Sequence, residues 1–345
     1  MSDLATSSSD AQDSDAQASD ASAWSRCLVA CLGTLGVSAA LLYAFLFAVD
    51  PYDSGKFGLL GIDGVDDRNT ITASASRARD PDFDSAIIGN STALLLNPKP
   101  LSEATGLRFV QLSVVGGSPR EELAVLDFFQ RHHPHVGALV FVTDPAWCAH
   151  APDLNPRPFP YWLYEDGWLG YARRLLSGPS IEHAFQRLSI GLGLRKRMDP
   201  TGTFRSDDVW PAGQFFAKNP PADPAPWPPN VSLRFYPEVA RLEAVIKRLP
   251  PDLPVVILVP PTFATTVPAP DTPQAAERET CNAALRRLVA GRPHSNFMNY
   301  RVDNALTRDR AQWVDFIHYR PLIASKISDG IADSIKQGEA AKIDF

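Results

Sequence analysis

Cysteine is scarce in this chain, with four in 345 residues. That excludes a disulfide-dense scaffold. There is no C-x-x-C pair and no compact cysteine–histidine cluster, so no structural zinc site is written into the sequence. Positive charge is also short: 33 Lys+Arg stand against 39 Asp+Glu, for a net charge of -6. No strongly basic block occurs, and nucleic-acid binding has no electrostatic basis. No internal repeat is visible.

Apolar residues are plentiful at 45%, which excludes wholesale disorder. The length suits one large domain or two small ones. Proline is over-used, 31 residues or about 9% against a usual ~5%. Long ordered loops or disordered linkers are expected from it.

Residues 1–26 open the chain with Ser, Ala, Asp, Gln and Thr, and no Lys or Arg precedes Arg26. Asp3, Asp10, Asp13, Asp15 and Asp20 make the segment acidic. It buries too little apolar surface to order itself, so a disordered tail is expected. Residues 27–49, Cys27 to Val49, then run without a charge. As a helix that run spans roughly 34 Å, enough for a ~30 Å hydrocarbon core. Asp50, Pro51 and Asp53 end it. A cleaved signal peptide would need a basic lead and a shorter apolar core, so the run reads as an uncleaved anchor in a lipid bilayer. Lys56, Arg68, Arg77 and Arg79 follow it, against Arg26 before it. By the positive-inside rule that count argues for a cytosol-facing domain.

Residues 50–84 read as a linker, and residues 85–345 as one α/β domain. Short apolar runs at 86–88, 108–112, 138–142, 254–259 and 296–300 read as strands. Helical patterns at 119–130, 237–249, 272–289 and 322–335 alternate with them. That alternation argues for a parallel sheet. Between about 150 and 232 the pattern breaks. Trp162, Trp168, Trp210 and Trp227 lie there among many prolines, with NPPADPAPWPPN at 219–230. An irregular insertion is expected, either a lid or binding loop or a padded surface. His132, His133 and His135 follow a helix and suit its negative end better than a metal. Cys148 and Cys281 can pair if the domain is exported, but nothing in the sequence places them close.

Two short motifs carry chemistry. Ile88-Gly89-Asn90-Ser91-Thr92 follows the first strand, where α/β folds bind ligands. Gly89 permits a sharp turn, and Ser91 would open the next helix with its own N–H facing an oxyanion. Read alone, Ser91 is as easily a helix N-cap. Asp315-Phe316-Ile317-His318-Tyr319 precedes the last helix. Spaced three apart on a turn, Asp315 can orient His318, and His318 can deprotonate a serine hydroxyl. Asp144, beside Pro145 at a strand end, either lines the pocket or caps a turn.

Together these motifs resemble the SGNH/GDSL hydrolase superfamily, over roughly residues 85–335. The resemblance implies a flavodoxin-like three-layer sandwich with a parallel sheet. It implies Ser91 as nucleophile, His318 as general base and Asp315 as orienting acid. Gly89-Asn90-Ser91 carries Asn where the superfamily has Asp, a residue outside the triad. Gly116 or Gly117, in Ser113-Val114-Val115-Gly116-Gly117-Ser118, matches the block that supplies a glycine to the oxyanion hole. The asparagine of the third block is missing: the chain reads Thr143-Asp144-Pro145-Ala146-Trp147-Cys148 there. Losing one oxyanion donor typically costs roughly 10²–10³ in rate.

With its anchor, the chain is similar to SGNH-like proteins of alginate O-acetylation and of D-alanyl transfer to teichoic acid. That likeness implies a single-pass protein of the bacterial inner (cytoplasmic) membrane, its domain periplasmic or extracytoplasmic. The implied reaction is acyl transfer or ester hydrolysis on an envelope polysaccharide, through an acyl-Ser91 intermediate. The implied partners are a glycan substrate and a membrane-bound acyl donor, with no cofactor or metal. The alternative is a non-catalytic accessory protein that binds glycan through the Pro/Trp-rich insertion.

Overall fold

The computed structural model describes residues 7–66, 69–149, 158–220 and 235–338, with backbone alone for 7–22. All five apolar runs are strands: β1 (Ser85–Gly89), β2 (Phe109–Ser113), β3 (Ala138–Val142), β4 (Val255–Val259) and β5 (Asn296–Asn299). Every residue of the first four is buried. Strands covered on both faces read as unbroken apolar runs, which is why they stand out in the sequence. β5 is the half-covered edge, and its asparagines follow from that.

The sheet order is β2-β1-β3-β4-β5 and every pairing is parallel. This is the flavodoxin-like doubly wound order. The order reverses beside β1, and the crevice that forms there lies beyond the carboxyl end of β1.

In chain order the first helices are α1 (Ser7–Val49), α2 (Thr70–Ala78), α3 (Pro98–Thr105), α4 (Pro119–His132), α5 (Tyr161–Tyr164) and α6 (Trp168–Leu175). They are followed by α7 (Gly178–Gly191), α8 (Ser206–Val209), α9 (Pro237–Ile246), α10 (Pro273–Val289), α11 (Ala305–Arg308) and α12 (Pro321–Gln337). Ile88, Leu112, Phe141 and Ile257 pack with α2, α4, α9 and α10 in one core. Ile87, Val140, Val256 and Leu258 pack with α3 and α12 in the other. Alternate strand residues thus feed opposite layers, giving a helix–sheet–helix sandwich. Prolines open α3, α4, α7, α9, α10 and α12. At a first-turn position the missing N–H costs no helical bond. Much of the proline excess therefore starts helices rather than lengthening loops.

Among the described residues one helix is long and apolar enough to cross a membrane, the Ala23–Val49 part of α1, with mean hydropathy 2.0. Length and composition alone would also suit a signal sequence. The backbone helix begins earlier, at Ser7, inside the segment expected to be a disordered tail. Extending an existing helix avoids the cost of a new nucleus, and acidic residues suit the positive amino end. Residues 1–6 lie outside the described part.

The expected linker at 50–84 is instead part of the domain. It contains α2, whose Ile71 and Ala75 enter the first core. Asp53 accepts from Ser76 Oγ at 2.6 Å and pairs with Arg79 and with the buried Arg187. Arg187, on α7, also donates to the carbonyls of Val49 and Asp50. A buried guanidinium thus satisfies carbonyls left open at the carboxyl end of α1, where positive charge is favoured. This contact fixes α1 to the domain.

The insertion is more regular than expected. It holds α5 to α8, and Leu163, Tyr164, Tyr171, Leu175 and Ala184 belong to the first core. Short helices with widely spaced apolar residues carry little periodic signal, so the prolines dominate the sequence pattern. Residues 221–234, with Trp227, lie outside the described part.

Candidate active site

Gly89 ends β1, and the chain turns through Asn90 and Ser91 into a 3₁₀ turn at Ala93–Leu95. Ser91 does not open an α-helix, as the sequence suggested; α3 starts only at Pro98. A Cβ on residue 89 would lie 2.7 Å from the Val142 carbonyl oxygen and 2.8 Å from the Ala93 Cβ. Only glycine lets the serine turn approach β3 this closely.

Asn90 locks the turn. Its Oδ1 accepts from the Thr92 N–H and hydroxyl, both at 3.0 Å, and its Nδ2 donates to Asp144 Oδ2 at 2.5 Å. Asp144 therefore both borders the serine turn and caps the 3₁₀ turn Pro145–Cys148, accepting from the Ala146 N–H at 3.0 Å. Burial pushes the Asp144 carboxyl up, against the bonds from Ala146 and Asn90 and the nearby Arg301.

The second motif forms its own turn just before α12. Asp315 Oδ1 accepts from the N–H groups of Ile317 and His318 at 2.9 and 2.8 Å. Asp315 Oδ2 lies 2.7 Å from His318 Nδ1, and His318 Nε2 lies 2.9 Å from Ser91 Oγ. With its hydrogen on Nδ1, the imidazole donates to Asp315 and accepts from the Ser91 hydroxyl. Burial raises the Asp315 carboxyl, but the bonds from His318 and the two backbone N–H groups outweigh it. The carboxyl is held below its ordinary range. It therefore stays ionised and can orient the ring and stabilise an imidazolium.

The two motifs are separated by 227 residues between Ser91 and His318. Tyr319, fully buried, donates to the Thr92 carbonyl at 2.7 Å and joins the loops directly. The Phe263 N–H donates to the Phe316 carbonyl at 2.9 Å, tying the histidine loop to the segment after β4.

The sequence reading missed two supporting residues. Trp210, from the insertion, stacks over His318 with ring centroids 6.2 Å apart. Arg320 donates to Asp207, Trp210, Pro211 and Gln214, which staples this part of the insertion to the histidine loop. Arg320 adjoins the Asp-x-x-His motif, but a buried arginine cannot be told from a surface one by sequence alone.

The glycine block splits. Gly117 gives its N–H to the Val114 carbonyl at 2.8 Å, so that N–H is committed to the turn and Gly117 is not an oxyanion donor. Gly116 lies in the same turn with a φ of +69, a conformation that favours glycine. The turn follows β2, whose Ser113 is level with Gly89, so it shares the serine's edge of the sheet.

Behind the site lies a buried acid. Glu122, on α4, accepts from the Trp147 indole at 3.3 Å, while its Oε1 has no partner among the described residues. Burial, with Asp144 adding to it, pushes this carboxyl well above its ordinary 4.5. Its proton is therefore held more tightly in the native state than in the unfolded chain. Stability is full below the unfolded value near 4.5 and falls as pH rises through the interval above it. Glu122→Gln keeps the neutral form at every pH. Its Tm should match wild type in acid and exceed it by roughly 2–4 °C at alkaline pH. A Tm difference independent of pH would refute this placement.

No protein-family model matches this chain, and neither does any curated protein.

Proposed function

We propose that the chain is a membrane-anchored, SGNH-like acyltransferase or carbohydrate esterase acting on a cell-envelope polysaccharide. The observation that carries this reading is the continuous chain from Asp315 Oδ2 through His318 to Ser91 Oγ, at 2.7 and 2.9 Å. A hydroxyl bonded to an imidazole, itself oriented by a carboxylate, is the arrangement of an activated serine nucleophile. The site stands at the topological switch point, where α/β sheets bind ligands.

Ser91 Oγ attacks the carbonyl carbon of an acyl ester while His318 Nε2 takes the hydroxyl proton. The imidazolium is stabilised by Asp315. The ester C–O bond then breaks, and His318 returns the proton to the leaving oxygen, which leaves acyl-Ser91. In the second half a glycan hydroxyl or water attacks that ester. His318 takes the incoming proton and passes it to Ser91 Oγ. A glycan acceptor makes the protein a transferase, fed by a membrane-bound acyl donor; water makes it an esterase. Trp210 and the adjoining insertion would border the acceptor side.

The disulfide between Cys148 and Cys281 supports an exported domain, since such bonds persist in oxidising compartments. It outweighs the count of basic residues after α1, because Arg77 is buried and Arg79 is paired to Asp53 in the fold. The reading is thus of a bacterial inner-membrane protein with its tail in the cytoplasm. The committed Gly117 amide and the absent third-block asparagine favour a second reading, a glycan-binding accessory protein on the same scaffold.

The two are separated by trapping the intermediate. The purified full chain, mixed with an activated acetyl ester and quenched in acid, should carry acetyl on the peptide containing Ser91. Added O-deacetylated envelope polysaccharide should discharge that acetyl faster than water does. Glycan binding with no acetyl on Ser91 would replace the enzymatic reading with the accessory one.

A further inference from the structure

The apolar helix does not leave the membrane and then meet the domain; its last turns are already packed on it. α1 is exposed almost throughout from Ala23 to Leu41, about 28 Å at 1.5 Å per residue and close to a ~30 Å hydrocarbon core. Cover begins at Leu42 and Tyr43, and Leu46 and Val49 are buried. The domain residues beside Leu42 to Phe45 therefore stand at the level where the helix leaves the hydrocarbon.

Those residues belong to α6 and α7 of the insertion. Tyr43 donates to the Ala172 carbonyl at 3.3 Å, and the rings of Phe45 and Phe185 are 5.2 Å apart. Leu169 and Ala172 on α6, with Leu176 just after its end, share one face by their spacing of three and four. Ala172 touches α1, and the same face continues outward through Leu169 and Leu176, each 45% exposed. Trp168 and Phe185 add exposures of 58% and 57%. Arg173 flanks this face, Arg174 lies farther round the helix, and both are exposed. The two buried cores do not include these apolar side chains, and α6 and α7 meet α1 through Ala172 and Phe185, at the end of the one helix among the described residues fit to enter a bilayer. Aromatic and aliphatic groups next to arginines are the composition of a surface that lies in the headgroup region.

We propose that α6 and Phe185 form a collar that seats the domain on the leaflet from which α1 emerges. Trp168, Leu169, Leu176 and Phe185 enter the acyl–headgroup boundary, and Arg173 meets anionic lipid phosphates. The occupant is the bilayer surface. Continuity with α1 selects it, and so does the pairing of apolar side chains with positive charge at one level. The collar rests on the reading of α1 as a membrane span. It gives part of the Trp-rich insertion a role in fixing the height and tilt of the domain above the membrane, while Trp210 faces the triad.

The test uses the full chain in nanodiscs, with Cys27 and Cys31 replaced by alanine and the Cys148–Cys281 bond retained. A nitroxide is placed at Leu169→Cys on the collar, at Leu35→Cys in α1, or at Ala104→Cys on α3, which lies on the opposite face of the sheet. Collision with oxygen reports lipid, and collision with a water-soluble nickel chelate reports solvent. The labels at 35 and 169 should both favour oxygen, with nickel collisions at 169 several-fold fewer than at 104. At 169 the nickel collisions should rise when Arg173→Gln is made in phosphatidylglycerol discs, or when discs are purely phosphatidylcholine. A label at 169 as wet as that at 104, with 35 still in lipid, overturns the collar and leaves the span standing. A wet label at 35 overturns the span and the collar with it.

Discussion

Ser91→Ala should abolish labelling by a fluorophosphonate probe and lower turnover of an acyl ester by about 10⁴-fold or more. His318→Ala should cost about as much. Ser91, His318 and Asp315 are joined in one hydrogen-bonded chain, so the triple variant should be scarcely worse than either single one. Asp315→Asn should retain the turn geometry in part while losing the charge that stabilises the imidazolium, with a loss of about 10⁴-fold. The measurement is probe labelling followed by steady-state hydrolysis of a p-nitrophenyl ester. Undiminished labelling of the Ser91→Ala protein would place the reactive residue elsewhere and end the triad assignment. The third-block asparagine is absent, so wild-type turnover should itself be modest, by roughly the 10²–10³ that one missing donor costs.

Breaking the Cys148–Cys281 bond should be the most damaging single change to stability. The bond closes a loop of 133 residues, and a loop of that length restricts the unfolded chain by about 5 kcal/mol. It ties the turn after β3 to α10. The same turn carries Asp144, which holds Asn90 beside the nucleophile. Cys148→Ala combined with Cys281→Ala should lower the Tm by about 10 °C or more. Reduction of the wild type should do the same, and thermal unfolding with and without a strong reductant checks it. Identical melting curves would mean that the bond is absent from the protein in solution.

Much of the architecture was legible because it is locally encoded. The five strands were found within a residue or two, since strands buried on both faces leave short apolar runs that no helix of ordinary length imitates. Helices α4, α9, α10 and α12 were legible from their spacing and their opening prolines. Those at Thr70–Ala78 and Pro98–Thr105 were not. The first is mostly Ala, Ser and Thr, and the second has two prolines in its first turns, so neither shows a clear apolar stripe. The helix over the tail and the packing of the segment at 50–84 were not legible, because composition says nothing about what a neighbouring helix or a buried Arg187 does for a segment.

The candidate site divides the same way. Residue types and local turns were readable: a glycine that lets a serine turn pass β3, and an aspartate three before a histidine, each decided within a handful of residues. What the chain's local code left open was which distant pieces meet. The approach of His318 to Ser91, the bond between Cys148 and Cys281, and Trp210 over the imidazole depend on sheet order and on which faces are buried. Composition and periodicity determine the strands and the longer helices, because each is an equilibrium among neighbours in sequence. Pairings over hundreds of residues are settled by burial and register, and those exist only in the folded sandwich.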